Sequence, residues 1–128
     1  MLTYTKTFSG FSVDDIQRAK EFYKDILGVN VQDEGDMGIS LHLADDTKVF
    51  VYPKADHQPA TFTILNFVVD KIDKAVDALV EKGVQFEHYE RVDLPQDEKG
   101  VLRRLSAGMG PDIAWFKDPA GNVLSVLQ

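Results

Sequence analysis

Hydrophobic and polar residues follow the same pattern in the two halves of the chain. The sequence FSVD at 11–14 opens a helical pattern, and FVVD at 67–70 opens another one 56 positions later. The closing runs VFVY at 49–52 and VLSV at 123–126 form a second repeat, offset by 74 positions. A module that cannot bury its apolar faces alone has to pack against a neighbour. The pattern therefore predicts two similar modules with a cleft between them.

The first module is predicted to contain a strand, a helix and three further strands. Apolar residues recur at three- and four-residue spacing over 16–26, which is typical of an amphipathic helix. Asp14 or Asp15 is expected to cap its start, and Gly28 is expected to end it. The initial strand covers 3–13, and alternating or apolar runs predict the later strands at 29–32, 39–43 and 48–52.

The second module repeats this plan after a polar stretch, 53–59, that contains two prolines. Its helix is predicted over 71–82, ending at Gly83. Its strands are predicted at 61–69, 84–89, 101–107, 112–116 and 123–127. The boundary divides a single domain, 1–128, into modules 1–56 and 57–128.

Composition narrows the setting and the partners. The chain has 128 residues, is 44% hydrophobic and contains no cysteine, so it has material for a core but no thiolate ligand or thiol nucleophile. No apolar run approaches a membrane span, and the N-terminal residues lack the apolar stretch of a secretory signal, so we expect a cytoplasmic protein without membrane contact. The net charge of −7 disfavours nucleic acid and favours neutral or cationic partners.

Two motifs, taken with the repeated plan, carry a resemblance. The helix DIQRAKEFYKDILG at 15–28 and the ending FKDPAGNVL at 116–124 resemble the vicinal oxygen chelate superfamily. This group includes glyoxalase I, extradiol dioxygenases, fosfomycin resistance enzymes and bleomycin-binding proteins. The resemblance implies an α+β fold with two tandem βαβββ modules that form a concave mixed-sheet cleft, the glyoxalase/bleomycin resistance fold. It also implies a homodimer.

The resemblance further implies where metal ligands would lie. In the metal-dependent members two ligands come from each module, and the matching positions here are Phe8, Val51, Ile64 and Ser125. Three of these side chains are hydrocarbons, and a lone hydroxyl is a poor anchor for a divalent cation. We therefore expect no metal and no other cofactor.

Strand alternation from these positions predicts a small-molecule cleft that is apolar with a few polar points. The candidate cleft residues lie on the predicted face or next to it: Phe8, Ser12, His42, Val51, Ile64, Asn66, Trp115 and Ser125. The alternative is that these side chains fill a shrunken cleft as core. His42 is either a base in the cleft or an exposed strand histidine. Trp115 and Phe116 are adjacent on one strand, so only one of them faces the ligand.

The polar stretch 90–100 reads as a long hairpin loop or a flap over a ligand. At its edge Arg103 and Arg104 are possible lid residues that clamp a carboxylate, although neutralising nearby acidic residues is the plainer explanation.

The sequence leaves three functional hypotheses. The first is a metal-free binding protein, similar to the bleomycin-binding members, that holds an antibiotic-like or cationic aromatic ligand. The second is a glyoxalase-like lyase or dioxygenase-like enzyme with displaced metal ligands or with acid–base catalysis alone. The third is a non-catalytic module for protein contact, with its cleft packed shut.

Overall fold

The computed structural model describes residues 1–90 and 95–128, which form two compact units, Met1–Pro59 and Ala60–Gln128. The first unit contains one helix and four strands: β1 (Ser9–Val13), α1 (Ile16–Glu21), β2 (Asn30–Asp33), β3 (Ile39–His42) and β4 (Lys48–Pro53). The second contains one helix and three strands: β5 (Thr63–Val68), α2 (Ile72–Glu81), β6 (Ile113–Lys117) and β7 (Val123–Leu127). Neither helix in the described ranges is long and apolar enough to cross a membrane.

Each unit builds a mixed sheet in which its first strand lies parallel to its last. The first sheet has the order β1-β4-β3-β2, and the second has the order β5-β7-β6. All pairs other than β1–β4 and β5–β7 are antiparallel. This arrangement confirms the predicted α+β class.

The start and end of α1 agree with the prediction. The Asp15 side chain accepts a hydrogen bond from the Arg18 backbone N–H at 3.1 Å and so caps the helix. The helix then widens into a π-helical turn, Phe22–Ile26, and Gly28 ends it with φ of 71°. Tyr23 is fully buried, and its ring lies 6.0 Å from that of Phe11 on β1. This contact seats the helix on the first sheet.

The helix of the second unit is held in a similar way. Ile72 and Val76 on α2 are buried, as their spacing predicts. The side chain of Gln128, at the end of the chain, accepts a hydrogen bond from the Ile72 backbone N–H at 2.9 Å. This bond satisfies one of the free N–H groups at the helix start.

Two predicted strands of the second unit are reduced to isolated bridges. Phe86 pairs with Phe116, and Leu102 pairs with Ile113. The side chain of Asp112 explains why strand pairing does not continue beyond Leu102. Its carboxylate accepts hydrogen bonds from the backbone N–H groups of both Arg104 and Leu105. Those N–H groups are then unavailable to a strand partner, and a short 3₁₀ turn, Leu105–Ala107, follows.

We predict that Gly38→Ala destabilises the first unit by about 3 kcal/mol or more. Gly38 has φ of 133°, and a Cβ at this position would overlap the Val51 carbonyl oxygen. Gly35→Ala is the matched control, because Gly35 also has a positive φ of 65° but has nothing within 4 Å of the added Cβ. Gly35→Ala should lower the free energy of unfolding by only about 1 kcal/mol. Urea unfolding measures both variants, and equal losses would show that the overlap is relieved without cost.

Candidate functional site

A hydrogen-bonded row of side chains crosses one face of the second sheet. The register pairs Trp115 with Ser125 and Ser125 with Asn66, so the three side chains point to the same face. Ser125 is fully buried, and its hydroxyl donates to Asn66 Oδ1 at 2.5 Å. The structure thus brings together three of the residues that the sequence proposed for the cleft.

A β-bulge changes which residue of β5 joins that row. The register shifts between Thr63 and Leu65, which leaves Ile64 as the extra residue of the bulge. Trp115 Nε1 donates to Thr63 Oγ1 at 3.1 Å, which places the threonine on the same face as the indole. Thr63 therefore occupies the place that simple alternation gives to Ile64. The sequence carries no signal for this bulge, and Thr63 was missed.

Beside this row lies a cavity of about 260 Å³ within the second unit. Three aromatic side chains, two threonines, an amide and a valine line it: Thr61, Phe62, Thr63, Tyr89, Gln96, Trp115 and Val123. The rings of Tyr89 and Trp115 meet edge to face with centroids 5.6 Å apart. Phe62 is 69% exposed, so it stands at the rim. Of the adjacent aromatic pair on β6, Trp115 faces the cavity and Phe116 is fully buried on the other face.

Gln96 fixes the shape of this cavity. Its Oε1 accepts the Tyr89 backbone N–H at 2.7 Å, and its Nε2 donates to the carbonyl oxygens of Glu87 and Gly100 at 3.0 and 2.6 Å. One side chain therefore supplies the hydrogen bonds that a neighbouring strand would supply along 87–89. Sequence reasoning missed Gln96 because it lies in a polar stretch without periodicity. The preceding part of that predicted flap, 91–94, lies outside the described residues.

The lining of the cavity carries no charged side chain among the residues described. Glu87 and Lys117, which pair with each other at 3.2 Å, are charged groups that act on Tyr89. Burial, and secondarily the charge of Glu87, raises the pKa of the Tyr89 hydroxyl above its ordinary value, while Lys117 acts in the opposite direction. The hydroxyl therefore remains protonated at neutral pH and is available as a hydrogen-bond donor.

An ion-pair network ties the segment that carries Gln96 to α2. Arg103 binds Asp73 of the helix through two nitrogens, at 3.0 and 2.7 Å, and its Nε donates to Asp97 at 3.0 Å. Lys99 adds bonds to Asp73 and Asp77 at 3.2 and 3.0 Å. Hydrogen bonds from Arg103, and then from Lys99, lower the pKa of the Asp73 carboxyl to about 2.

Neither of the two proposed lid arginines lines the cavity. Arg103 is engaged with acidic residues, including Asp97, as the plainer explanation expected. Arg104 donates from Nε to the Pro111 carbonyl oxygen at 3.3 Å. Their part in closing over a ligand stays a prediction.

The first sheet groups its own candidates on one face. Ser12 pairs with Tyr52, and His42 pairs with Lys48, so Ser12 and His42 lie on the face that also carries Phe50. Phe8 reaches this face through an edge-to-face contact with Phe50 at 6.5 Å. Ser12 Oγ lies 2.6 Å from His57 Nδ1.

His42 belongs to a second polar cluster on this face. Its Nε2 lies 3.0 Å from the Ser40 hydroxyl oxygen. The Ser40 hydroxyl donates to Glu34 Oε1 at 2.9 Å. Because a serine hydroxyl has one hydrogen to donate, Ser40 accepts from His42 when it donates to Glu34. The histidine is half-buried and hydrogen-bonded within the sheet.

The structure corrects the predicted facing of Val51. The register pairs Val51 with Phe11 and with Ile39, so its side chain points to the face opposite Phe8 and Ser12. There it is fully buried in the core. Comparison of the two modules explains why the prediction differs from the structure. Phe11 and Phe67 are equivalent in the sequence repeat, but Phe11 pairs with Val51 whereas Phe67 pairs with Val126. The structural counterpart of Val51 is therefore Val126, not Ser125.

The four positions implied as metal ligands do not fit a metal. Phe8, Val51 and Ile64 offer no donor atom, and the Ser125 hydroxyl donates its hydrogen to Asn66. Across 1–90 and 95–128, no three histidine, aspartate or glutamate side chains cluster in a way that could hold a metal ion.

Comparison with known proteins identifies the class to which this fold belongs. The model of the Glyoxalase/Bleomycin resistance protein/Dioxygenase superfamily matches residues 7–126. The chain therefore belongs to this superfamily, which confirms the resemblance seen in the sequence. The uncharacterized protein YraH of Bacillus subtilis strain 168 is 27% identical over 130 residues, covering 91% of each chain.

Solved structures share the fold over the whole chain. A glyoxalase family protein from Enterococcus faecalis superposes with a TM-score of 0.67 at 20% identity, covering all of both chains. TnmS3, an antibiotic binding protein from Streptomyces sp. CB03234, superposes with a TM-score of 0.63 at 23% identity, covering 99% of this chain and 98% of that one.

We predict that Gln96→Ala loosens the cavity wall. Three backbone groups lose their partner, so the free energy of unfolding should fall by about 1–3 kcal/mol. Trp115 is the single tryptophan, so its emission reports the change as a red shift and stronger quenching by acrylamide. Gln17→Ala is the matched control, because Gln17 is exposed and bonds only Glu21 on its own helix. Wild-type emission and stability in the Gln96 variant would contradict the assigned role.

We predict that Asp73→Asn weakens the second unit in a pH-dependent way. The lowered pKa stabilises the folded state above about pH 4, and this contribution disappears as the pH falls through about 2. Asp73 is 52% exposed, so solvent screens its pairs and the loss at pH 7 should be about 1 kcal/mol.

Urea unfolding at several pH values, with Asp14→Asn as an exposed control, measures the effect. The difference in the free energy of unfolding between wild type and the Asp73 variant should disappear near pH 2. In roughly 1 M salt this difference should become smaller, because salt screens the ion pairs. A gap that is independent of both pH and salt would refute the ionic origin.

Proposed function

We propose that this chain binds a compact planar aromatic molecule, without a metal ion, in the cavity of the second unit. The observation that carries the proposal is the grouping of Trp115, Tyr89 and Phe62 around one cavity whose described lining is uncharged. Aromatic walls favour flat ligands through stacked and edge-to-face contacts. The volume lies just below the usual range for ligand pockets, which suits a compact ligand rather than an extended one.

Two further observations support this proposal. The antibiotic binding protein from Streptomyces shares the fold, so the architecture is compatible with ligand sequestration. The net charge of −7 attracts cations over long range, which supports the expectation of a cationic aromatic ligand. Since the described lining carries no charged side chain, the aromatic faces of Tyr89 and Trp115 would contact such a cation.

Titration with 9-aminoacridine, a flat cation, tests the proposal. We expect saturable quenching of Trp115 emission, corrected against free N-acetyltryptophanamide, that is unchanged by EDTA. Tyr89→Leu removes one ring of the wall and should raise the Kd about five-fold or more.

Tyr4→Leu is the control, because Tyr4 is exposed and belongs to the other unit. The proposal fails if quenching does not saturate or if the two variants weaken binding equally. Loss of binding in EDTA would refute its metal-free part.

A further inference from the structure

We propose that Thr63 makes the cavity selective for planar ligands that carry a hydrogen-bond acceptor, such as a ring carbonyl. This inference rests on the proposed function and names the ligand chemistry. Thr63 lines the cavity, and its Oγ1 accepts the Trp115 indole N–H at 3.1 Å. A threonine hydroxyl still has one hydrogen to donate when its oxygen accepts. Among the described residues, the Thr63 hydroxyl donates no hydrogen bond.

The other fixed polar groups of the lining are already engaged. The Gln96 amide is used in three bonds to backbone atoms, and the indole N–H is used on Thr63 itself. The side-chain groups of the described lining that remain for a polar contact with a ligand are therefore hydroxyl groups. Among them, the Thr63 hydroxyl is held in place by its hydrogen bond from Trp115. Because Trp115 both bonds the threonine and forms the wall, ring contact and hydrogen bonding occur together.

The indole also makes Thr63 a better donor. A hydroxyl that accepts a hydrogen bond is polarised, and the bond that it donates is strengthened. The hydrogen bonds run from the indole N–H to the threonine oxygen, and from the threonine hydroxyl to the ligand acceptor. A ligand without an acceptor would cover this hydroxyl and leave it unsatisfied, which disfavours binding. The cavity therefore discriminates between ligands of the same shape.

Xanthone and xanthene provide a related pair of probes, because both are neutral three-ring compounds of similar size that share a weakly accepting ring ether, and only xanthone has the strongly accepting ring carbonyl. We expect Trp115 quenching to show that wild type binds xanthone about five-fold more tightly than xanthene. Thr63→Val keeps the side-chain shape but removes the hydroxyl, so the two affinities should become equal. Thr63→Ser keeps the hydroxyl and should preserve the preference.

Two kinds of control separate the hydrogen bond from a structural effect. Thr47→Val changes an exposed threonine in the first unit and should leave both affinities unchanged. Thr61→Val and Tyr89→Phe each remove one of the other two hydroxyl donors of the described lining, and the preference should survive both changes. The readout is the ratio of the two affinities, because a shift of Trp115 alone would weaken both probes together.

The possible outcomes separate this inference from the proposed function. Equal binding of the two probes by wild type would overturn acceptor selection while leaving aromatic binding in place. Loss of the preference in Thr61→Val or Tyr89→Phe rather than in Thr63→Val would also overturn the assignment to Thr63. Binding of 9-aminoacridine without either neutral probe would overturn the inference alone, and failure of all three probes would overturn both proposals.

Discussion

The parallel pairing of the first and last strand is the constraint on which each unit depends. A parallel pair needs a long crossover, and here the connection carries the helix and the strands that follow it. The pairing also decides which side chains face the helix. In the second unit the pairing includes a bulge, and that single extra residue brings Thr63 to Trp115. The chemistry of the cavity therefore follows from a local irregularity in an otherwise regular ladder.

The wall of the cavity that contains Tyr89 is held in place by a side chain rather than by a neighbouring strand. Phe86 and Phe116 pair through a single isolated bridge rather than a continuous strand, yet Tyr89 is held against Trp115. Gln96 accounts for this, because its amide satisfies the backbone on both sides of it. Backbone groups away from water need such partners. The ion pairs of Arg103 then connect this segment to α2, so charges outside the cavity help to position the rings within it.

The sequence was sufficient for the fold but only for part of the site. Helix caps and turns are local, so Asp15 and Gly28 were placed correctly. The face of the sheet to which each strand side chain points was harder to predict. A one-residue change of register moves every side chain of a strand to the opposite face. Sequence similarity aligned Val51 with Ser125, whereas pairing aligns it with Val126. The pair Trp115 and Phe116 was singled out because aromatic residues on a strand are informative by themselves, but the sequence left open which of the two faces the cavity. No local pattern identifies a bulge or a glutamine that bonds three backbone groups four to nine residues away.

Long-range charge and local chemistry act at different steps of ligand capture. The net negative charge raises the local concentration of cations and acts before contact. Within the cavity the described lining is uncharged, and the ion pair that acts on Tyr89, Glu87 with Lys117, is neutral as a unit. Affinity after contact therefore depends on ring contacts and on hydroxyl donors. A cationic group would increase the rate of encounter, whereas the flat ring and its acceptor would determine how long the ligand stays.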